Sequence, residues 1–571
     1  MRAPTGLSLI LAAAGLMASG ARAVDTLVDL GYAKFQGAVT DPDLGVSMWK
    51  GIQFAAPPVG ELRFAAPADP VQTGMVDATR HGSICPPMNP NDWTAKPNSR
   101  FKADEDCLYL TVTAPTAATA DSRLPVVVLL QGGGFGSNSS PNWNGREIVS
   151  AGNMVLVQFN YRVGMYGFLQ TAELAAKGGT LNAGMKDMIK ALEWVKANVA
   201  KFGGDPDHVV IDGVSAGGSS VGLLMAANIP GGKELFKGGI VESGPWATLR
   251  TMDRGEEQFQ CLVKEKGCAG SADRIACLRA LDQVAIRSSS CWFNPSIDGD
   301  LFTDSLPEMF RQGKFRRVPT IWGTDADEGT KNVPQSTASI DEARKFFLQQ
   351  DGSLTNGSLA VLQRLYLDSE QPVFPNSGAK WRNLADAMGD IGNHCQTRNL
   401  IDFLARDAGG SPTWNYNYDV IDPADEAAGF GAWHTVNTHA FWGQSRDNNA
   451  PKSYLTTNAA ALPLVRGYWF SFIRHLDPNV DRQPGSPEWT PYTAEGRERI
   501  FIQTNNTHME RMSDRQAMRC DVVTPMFLNL AKPPAPGTAT ELDAGLAAQV
   551  EAASNDTSLP PRSAKFRRTR W

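Results

Sequence analysis

The sequence has little of what marks several large classes of protein. Its 54 basic and 60 acidic residues give a net charge of −6, so it lacks the basic excess with which many proteins bind nucleic acid. After the N-terminus, no apolar run approaches the ~20 residues that span a bilayer. With 571 residues, 42% of them hydrophobic, the chain is neither a small disulfide scaffold nor a disordered protein. We therefore expect a large globular protein with no nucleic-acid partner and no membrane anchor.

Metal and nucleotide motifs are also missing. The sequence contains no CxxC pair and no HExxH, which are common sources of zinc ligands. Its glycine-rich segment at 131–135 completes neither GxxxxGK[ST] nor GxGxxG, the loops that hold phosphate groups. We therefore predict a function that uses no metal and no organic cofactor.

The N-terminus has the pattern of a secretory signal. Arg2 provides the positive charge, residues 7–17 an apolar run, and Ala21-Arg22-Ala23 a small-x-small cleavage site, so the mature chain is expected to begin at Val24. The run is too short for a retained membrane anchor. Eight cysteines fit the same oxidising compartment, as do glycosylation sequons at Asn138, Asn356, Asn505 and Asn555. We predict a secreted, disulfide-bonded glycoprotein.

Short apolar runs alternate with helical patterns from about residue 120 onward. Residues 125–130, 154–161 and 209–211 form mostly apolar runs with β-branched residues, whereas 185–199 has apolar residues at helical spacing. Strands that are apolar on both faces are typical of a parallel sheet covered by helices on each side. The sequence therefore predicts an α/β fold.

The length alone does not give the number of domains. At ~150 residues per domain it suggests three or four, although a single α/β fold can be larger. No repeat or low-complexity linker interrupts the chain before about residue 530, where the composition turns to proline and alanine. We expect a signal peptide at 1–23, one catalytic unit at 24–530 and a flexible tail at 531–571. The basic end of the tail could bind an acidic surface, but a solvated end is the simpler interpretation.

A candidate nucleophile lies in a GxSxG pattern, which occurs twice, at 213–217 and at 218–222. A nucleophile elbow needs a strand that ends in a sharp turn and passes at once into a helix. Ser215 directly follows the apolar run at 209–211 and has small neighbours, so it fits this requirement. Ser220 would lie within the following helix, where a hydroxyl usually bonds to a carbonyl of the preceding turn. Ser215 is therefore the candidate.

A serine hydroxyl needs a base, and the sequence has only seven histidines. In the chain order serine, acid, histidine, the base follows Ser215, which leaves His394, His434, His439, His475 and His508. His434 follows a loop with two glycines, which suits an imidazole presented above the sheet. His475 ends an aromatic helical stretch and is more plausibly structural, and His439 could support His434.

The glycines at 132–134 directly follow a predicted strand and indicate an oxyanion hole. Such a hole needs backbone N–H groups aimed at a developing negative charge, and only glycine lets the backbone approach that closely. Asp325, Asp327 and Glu328 are equal candidates for the acid on pattern alone.

At this point the sequence resembles the type-B carboxylesterases, the family of the cholinesterases and the large secreted fungal lipases. The matching stretches follow one another over most of residues 30–530, at 51–55, 57–60, 105–110, 132–135, 160–162, 202–206, 213–217, 297–300 and 323–329. The resemblance implies an α/β-hydrolase fold and a triad of Ser215, Glu328 and His434. It also implies oxyanion donors at the backbone amides of Gly133, Gly134 and Ala216.

The resemblance further implies how the cysteines pair. It gives the disulfides Cys85–Cys107, Cys268–Cys277 and Cys395–Cys520, and it leaves Cys261 and Cys291 as a fourth pair. In the family the first of these loops forms part of the rim of the active-site gorge, and here it contains Trp93. For Trp246 we expect either a place at the acyl side of the site or one in the core.

Three residues depart from the pattern of many relatives. Val214 replaces the glutamate before the serine, Gln131 replaces the histidine before the three glycines, and Asn437 replaces an acidic residue three positions after His434. These changes imply a less anionic site, which disfavours a cationic, choline-like substrate.

We therefore expect a secreted serine hydrolase that cleaves small, uncharged carboxylic esters through an acyl-enzyme. The alternatives are a triglyceride or sterol-ester lipase, a biosynthetic enzyme that uses the same triad, and a non-catalytic binding protein on the same fold. The retained Ser215, Glu328 and His434 argue against the last. Acyl-chain preference and oligomeric state stay open.

Overall fold

A computed structural model describes residues 25–88, 101–137, 143–245, 249–287, 289–350, 354–443 and 450–528. The predicted signal peptide and the tail at 531–571 lie outside these ranges, as do Trp93, Trp246, Asn138 and Asn555.

The strands are, in chain order, β1 (Leu27–Asp29), β2 (Lys34–Gln36), β3 (Ala38–Asp41), β4 (Val46–Gln53), β5 (Met75–Asp77), β6 (Tyr109–Pro115), β7 (Leu124–Leu130), β8 (Val155–Phe159), β9 (Gly204–Val214), β10 (Gly238–Glu242), β11 (Thr320–Asp325), β12 (Thr413–Tyr418), β13 (Glu498–Ile502) and β14 (His508–Arg511).

The helices are α1 (Arg146–Gly152), α2 (Gly164–Phe168), α3 (Ala172–Ala176), α4 (Ala183–Asn198), α5 (Ala216–Ala226), α6 (Met252–Glu265), α7 (Arg274–Ala280), α8 (Gln283–Arg287), α9 (Leu306–Arg311), α10 (Ile340–Gln350), α11 (Asn356–Leu362), α12 (Trp381–Gly389), α13 (Cys395–Arg406), α14 (Pro423–Ala428), α15 (Thr438–Trp442), α16 (Ala461–His475) and α17 (Asp514–Leu528). A π-helical turn at Asp390–His394 joins α12 to α13, and another, at Gln363–Leu367, follows α11.

Eleven strands form one large sheet in the order β14-β13-β12-β11-β10-β9-β7-β8-β6-β4-β3. The neighbours from β8 to β13 pair parallel. At the two edges β14, β6, β4 and β3 pair antiparallel. The strands β1, β2 and β5 form a separate small sheet. The predicted α/β architecture, a mostly parallel sheet flanked by helices, is confirmed.

Both faces of the central strands are apolar and buried. In β7, Val126 and Val128 pack into one core, and Val127 and Leu129 pack into another on the opposite face. The same alternation continues in β9, where Ile211 and Val210 belong to the two different cores. This arrangement explains why the strands have continuous apolar runs rather than alternating ones.

The structure has four disulfides, Cys85–Cys107, Cys261–Cys291, Cys268–Cys277 and Cys395–Cys520, and these are the pairs named above. The last one joins the start of α13 to α17 and so fixes the C-terminal helix to the body of the fold. Among the described residues, no helix combines the length and the apolar character that crossing a membrane requires.

A buried ion pair links the end of β8 to α4. The guanidinium of Arg162 donates to both carboxylate oxygens of Asp187, at 2.8 and 2.7 Å, and the backbone N–H of Arg162 donates to the same carboxylate at 3.0 Å. The two side chains are only 3% and 0% exposed. The adjacent Tyr161 is buried too, and its hydroxyl donates to the carbonyl of Gln131 at the start of the glycine loop. The ion pair therefore supports the segment that holds this loop.

We expect Asp187→Ala to lower the free energy of unfolding by about 3–5 kcal/mol, because it leaves the Arg162 charge buried and unpaired. Asp207→Ala is the matched control, since the Asp207 side chain, paired with Lys196, is 61% exposed. Loss of that surface pair should change the free energy of unfolding little. Urea unfolding followed by fluorescence measures both. Equal losses would show that the buried pair has no special role in stability.

Candidate active site

Ser215 occupies a strained turn between β9 and α5. Its backbone has φ 58° and ψ −123°, a conformation that side-chain-bearing residues rarely adopt. The glycines on either side make the turn possible: a Cβ at Gly213 would lie 2.2 Å from the carbonyl oxygen of Gly217, and one at Gly217 would lie 1.9 Å from that of Leu130. Ser215 therefore stands clear of both the strand and the helix, as a nucleophile elbow requires.

Two hydrogen bonds through one imidazole ring connect Ser215 to a carboxylate. The Ser215 hydroxyl lies 2.9 Å from Nε2 of His434, and Nδ1 of His434 is hydrogen-bonded to Oε2 of Glu328. The second oxygen of Glu328 accepts the backbone N–H of Asp325 at 2.9 Å. Glu328 is fully buried, whereas the His434 side chain is 17% exposed. A neutral His434 in this setting donates from Nδ1 and can accept the serine proton at Nε2.

The other two candidate acids have different partners. The carboxylate of Asp325 accepts the Ser243 hydroxyl at 3.1 Å, and that of Asp327 accepts the Arg382 guanidinium at 2.7 Å. Of the three candidates, Glu328 is the one that contacts His434.

The remaining candidate histidines and the second serine have other surroundings. His394 bonds to the hydroxyl of Thr324, His475 to the exposed Asp481, and His508 to the Asn506 carbonyl. His439 lies within α15, and its ring contacts Trp433 and Tyr454. The Ser220 hydroxyl donates to the Ala216 carbonyl at 2.8 Å, as expected for a serine within a helix.

Three backbone amides lie at the ends of the segments beside Ser215. Ala216 is the first residue of α5, so its N–H has no acceptor within the helix. In the glycine loop, Gly133 and Gly134 have positive φ angles of 114° and 60°, and a Cβ at Gly133 would lie 2.5 Å from the Ser137 hydroxyl. Within the described residues, the N–H groups of Gly133, Gly134 and Ala216 donate to no backbone carbonyl. They are available to a negatively charged oxygen.

A clamp of ion pairs and backbone bonds joins the acid turn to the histidine loop. Asp327 and Ala432 exchange two hydrogen bonds, of 2.9 and 3.0 Å. Arg382, from α12, donates to Asp327 and also to the carbonyl of Gly429 at 2.8 Å. On the opposite side, the ammonium of Lys331 lies 3.4 Å from the centre of the Trp433 ring. These contacts fix His434 relative to Glu328.

We expect Arg382→Ala to lower kcat on the order of 10²-fold with little change in KM, because a small displacement of His434 is costly for proton transfer. Arg382→Lys should restore part of the activity, since it keeps a cation beside Asp327. Steady-state kinetics on both variants test this. A rise in KM alone, with kcat unchanged, would contradict the role of the clamp.

Buried carboxyl groups near the triad were missed by the sequence reasoning. Asp212 in β9, Glu242 in β10 and Asp325 in β11 are all fully buried, and their strands are neighbours in the sheet. Burial raises the pKa of Asp212 well above its usual range, and the charge of Glu242 raises it further. Burial and the adjacent Glu328 likewise raise the pKa of Asp325. The expectation of a less anionic site rests on Val214, Gln131 and Asn437 and does not include these groups.

Trp292 is a second residue that sequence reasoning missed. It directly follows Cys291, and its side chain is exposed beside the glycine loop. A Cβ at Gly134 or at Gly136 would lie 3.8 Å from the Trp292 ring. An exposed indole at this place provides an apolar surface next to the oxyanion donors. A tryptophan that follows a disulfide-bonded cysteine was the available signal.

Comparison with known sequences agrees with this geometry. The sequence model of the carboxylesterase family matches residues 24–522. This chain belongs to the carboxylesterase family. The carboxylesterase is 35% identical to the para-nitrobenzyl esterase of Bacillus subtilis over 506 residues, which cover 84% of this chain and 95% of that protein. It is 29% identical to a secreted triacylglycerol lipase of Gibberella zeae, over 81% of this chain and 84% of the lipase.

Solved structures lead to the same family. The crystal structure of Aspergillus niger EstA superposes with a TM-score of 0.82 at 36% sequence identity, over 89% of this carboxylesterase and 99% of EstA. The expected α/β-hydrolase fold is confirmed, and the protein is a serine ester hydrolase.

Proposed function

We propose that this carboxylesterase hydrolyses small, uncharged esters through an acyl-enzyme formed on Ser215. His434 is the base, and the carboxylate of Glu328 is the acidic member of the triad. The observation that carries the proposal is the pair of hydrogen bonds by which the His434 ring connects the Ser215 hydroxyl to the Glu328 carboxylate. The strained turn at Ser215 and the three amides beside it provide further support.

The reaction proceeds in two halves. The Ser215 oxygen attacks the ester carbonyl while His434 Nε2 takes the hydroxyl proton, and Glu328 stabilises the resulting imidazolium. The negative charge on the carbonyl oxygen is stabilised by the N–H groups of Gly133, Gly134 and Ala216. The bond to the alcohol then breaks, and the alcohol leaves with the proton from His434. Water attacks the acyl carbon in the same way, and the acid is released with Ser215 regenerated.

An uncharged substrate fits the surroundings of the nucleophile. The apolar Val214 precedes Ser215, and the exposed Trp292 ring lies beside the oxyanion loop. The relatives are named for a nitrobenzyl ester, for triacylglycerols and, in the case of a fatty acyl-CoA hydrolase precursor of Anas platyrhynchos, for fatty acyl-CoA. These names share an acyl group and none of them refers to a cationic alcohol.

Secretion is part of the proposal. The signal pattern at 1–23, the four disulfides and the relatives named as secreted lipases support it. Residues 24–530 are proposed to form the catalytic unit, followed by the tail at 531–571. N-terminal sequencing of protein recovered from the culture medium should begin at Val24. Protein retained in the cell with an intact N-terminus would contradict this part.

A burst experiment with p-nitrophenyl acetate, butyrate and palmitate tests the catalytic proposal. We expect a rapid release of one nitrophenol per active site, followed by slower turnover, because deacylation is a separate step. A preference for palmitate, rather than the shorter esters, would favour the triglyceride lipase alternative. No release from any ester, or the same release by Ser215→Ala, would overturn the proposal.

A further inference from the structure

Glu242, the last residue of β10, contacts both halves of the catalytic machinery. Its backbone carbonyl accepts the N–H of Ser215 at 2.9 Å. Its buried carboxylate accepts the side-chain N–H of Asn437 at 2.6 Å and the indole N–H of Trp469 at 2.7 Å. Asn437 lies three residues after His434 in the chain. A single residue therefore links the two segments, with its backbone carbonyl at the nucleophile turn and its carboxylate at the segment that presents the base.

Asp212 lies on the neighbouring strand β9 and differs from Glu242 in its surroundings. It is fully buried, and within the described part of the chain neither of its carboxylate oxygens has a hydrogen-bond partner. An ionised carboxylate without donors is costly in the protein interior, whereas one that accepts two N–H bonds is stabilised. Of this pair, the geometry favours the charge on Glu242 and the proton on Asp212. The raised pKa of Asp212 agrees with this assignment.

We propose that ionised Glu242 is a positioning residue for His434, which it holds through Asn437 and whose imidazolium it stabilises, while Asp212 beside it stays protonated. The proposal rests on the catalytic roles of Ser215 and His434 given above. A protonated Asp212 leaves a single negative charge at this position. That charge favours the imidazolium that forms in each half of the reaction.

Other ionisable groups face Glu242 from the elements packed around it. Asp325 is the last residue of β11, Glu328 lies in the turn after it, and Tyr416 lies on β12. The hydroxyl of Tyr416 accepts a hydrogen bond from Asn437 at 3.2 Å, and burial raises its pKa well above the usual range, so it remains neutral. The backbone N–H of Asn437 donates to Asp325 at 3.3 Å. The variants below leave Asp325 and Glu328 unchanged, so the effect of a substitution at Glu242 is measured with both of these carboxyl groups in place.

Three variants separate position from charge. Glu242→Gln keeps the shape of the side chain but removes its charge, so the imidazolium of His434 loses a stabilising anion. We therefore expect kcat to fall on the order of tenfold and the acid limb of the kcat/KM profile to move about one pH unit lower. Asn437→Ala removes the hydrogen bond to Glu242 but keeps the charge of Glu242. We therefore expect kcat to fall while the acid limb of the kcat/KM profile stays at the wild-type pH. Asp212→Asn replaces a neutral acid by a neutral amide of the same shape and should change neither.

Infrared spectroscopy tests the proton on Asp212 independently of activity and of the folding of the Glu242 variant. At neutral pH, the wild-type spectrum minus the Asp212→Asn spectrum should show the C=O stretch of one protonated carboxyl group, which separates Asp212 from other buried carboxyl groups such as Asp325. A difference spectrum without that band would overturn the assignment. Glu242→Gln with the pH profile and the kcat of the wild type would also overturn the proposal.

The burst distinguishes this proposal from the catalytic one. Glu242→Gln should keep the full burst of one nitrophenol per active site, only more slowly, because Ser215 still forms the acyl-enzyme. A full burst with an unshifted pH profile rejects the role of Glu242 alone. A wild type with no burst and no turnover rejects the catalytic proposal itself.

Discussion

Ser215→Ala is expected to lower kcat by about 10⁵- to 10⁶-fold, the largest effect of any single change in this protein. The substitution removes the hydroxyl that His434 contacts. Binding of the ester and the three amides stay in place, so a small residual rate above that of water is expected. Ester hydrolysis measured at high enzyme concentration, with thermal unfolding as the check on folding, gives the result.

Ser219→Ala and Ser220→Ala are the matched controls, because both hydroxyls lie in the first turns of α5. They donate to the carbonyls of Ser215 and Ala216, at 3.4 and 2.8 Å, and not to His434. Their loss should leave kcat within a few-fold of the wild type. If Ser220→Ala abolished hydrolysis and Ser215→Ala did not, the second GxSxG pattern would contain the nucleophile.

Glu328→Gln is expected to lower kcat by about 10³- to 10⁴-fold with little change in KM. The glutamine amide can donate to Nδ1 of His434, which favours the tautomer with its proton on Nε2, so the ring can no longer accept the proton of Ser215. Removing the charge also destabilises the imidazolium. Steady-state kinetics against p-nitrophenyl butyrate measures the effect.

Asp325→Asn serves as the control from the same turn. Asp325 is as deeply buried as Glu328, but its carboxylate contacts Ser243 and the backbone of Asn437 instead of His434. We expect a loss of about tenfold or less, in line with the removal of a supporting hydrogen bond. A larger loss in Asp325→Asn than in Glu328→Gln would exchange the roles of the two residues.

The sequence predicts the elements of the sheet well because their signals are local. The apolar run at 209–211, with a glycine and Ser215 shortly after it, predicts a strand, a turn and a helix, and β9 and α5 have this arrangement. The run at 125–130 and the glycines after it likewise predict β7 and the loop beside Ser215. Short-range periodicity and steric need suffice for such features.

The choice among the three acids could not be made from local pattern. Asp325, Asp327 and Glu328 lie within four consecutive residues, and each has a carboxyl group at the end of its side chain. Their hydrogen-bond partners distinguish them, and these partners lie far away in the chain. Arg382 is hydrogen-bonded to Asp327, and His434 is hydrogen-bonded to Glu328. Pattern alone does not encode these partners, so the resemblance to a known family was needed to choose Glu328.

The buried carboxyl groups were missed for a related reason. Asp212 follows the apolar run at 209–211 and Glu242 follows the apolar residues of β10, so each resembles an isolated polar residue in the sequence. Only the parallel pairing of β9 with β10 places these residues on adjacent strands. A carboxylate within an otherwise apolar strand is a signal worth following, because burial of such a group requires a partner or a proton.

The most direct test of the account is the site of the covalent intermediate. The enzyme is mixed with p-nitrophenyl butyrate, quenched in acid during turnover, digested and analysed by mass spectrometry. The account predicts one butyryl group on the peptide that carries Ser215, located on that serine by fragmentation, and none in Ser215→Ala. A butyryl group on Ser219, Ser220 or His434, or hydrolysis without any acylated peptide, would contradict it.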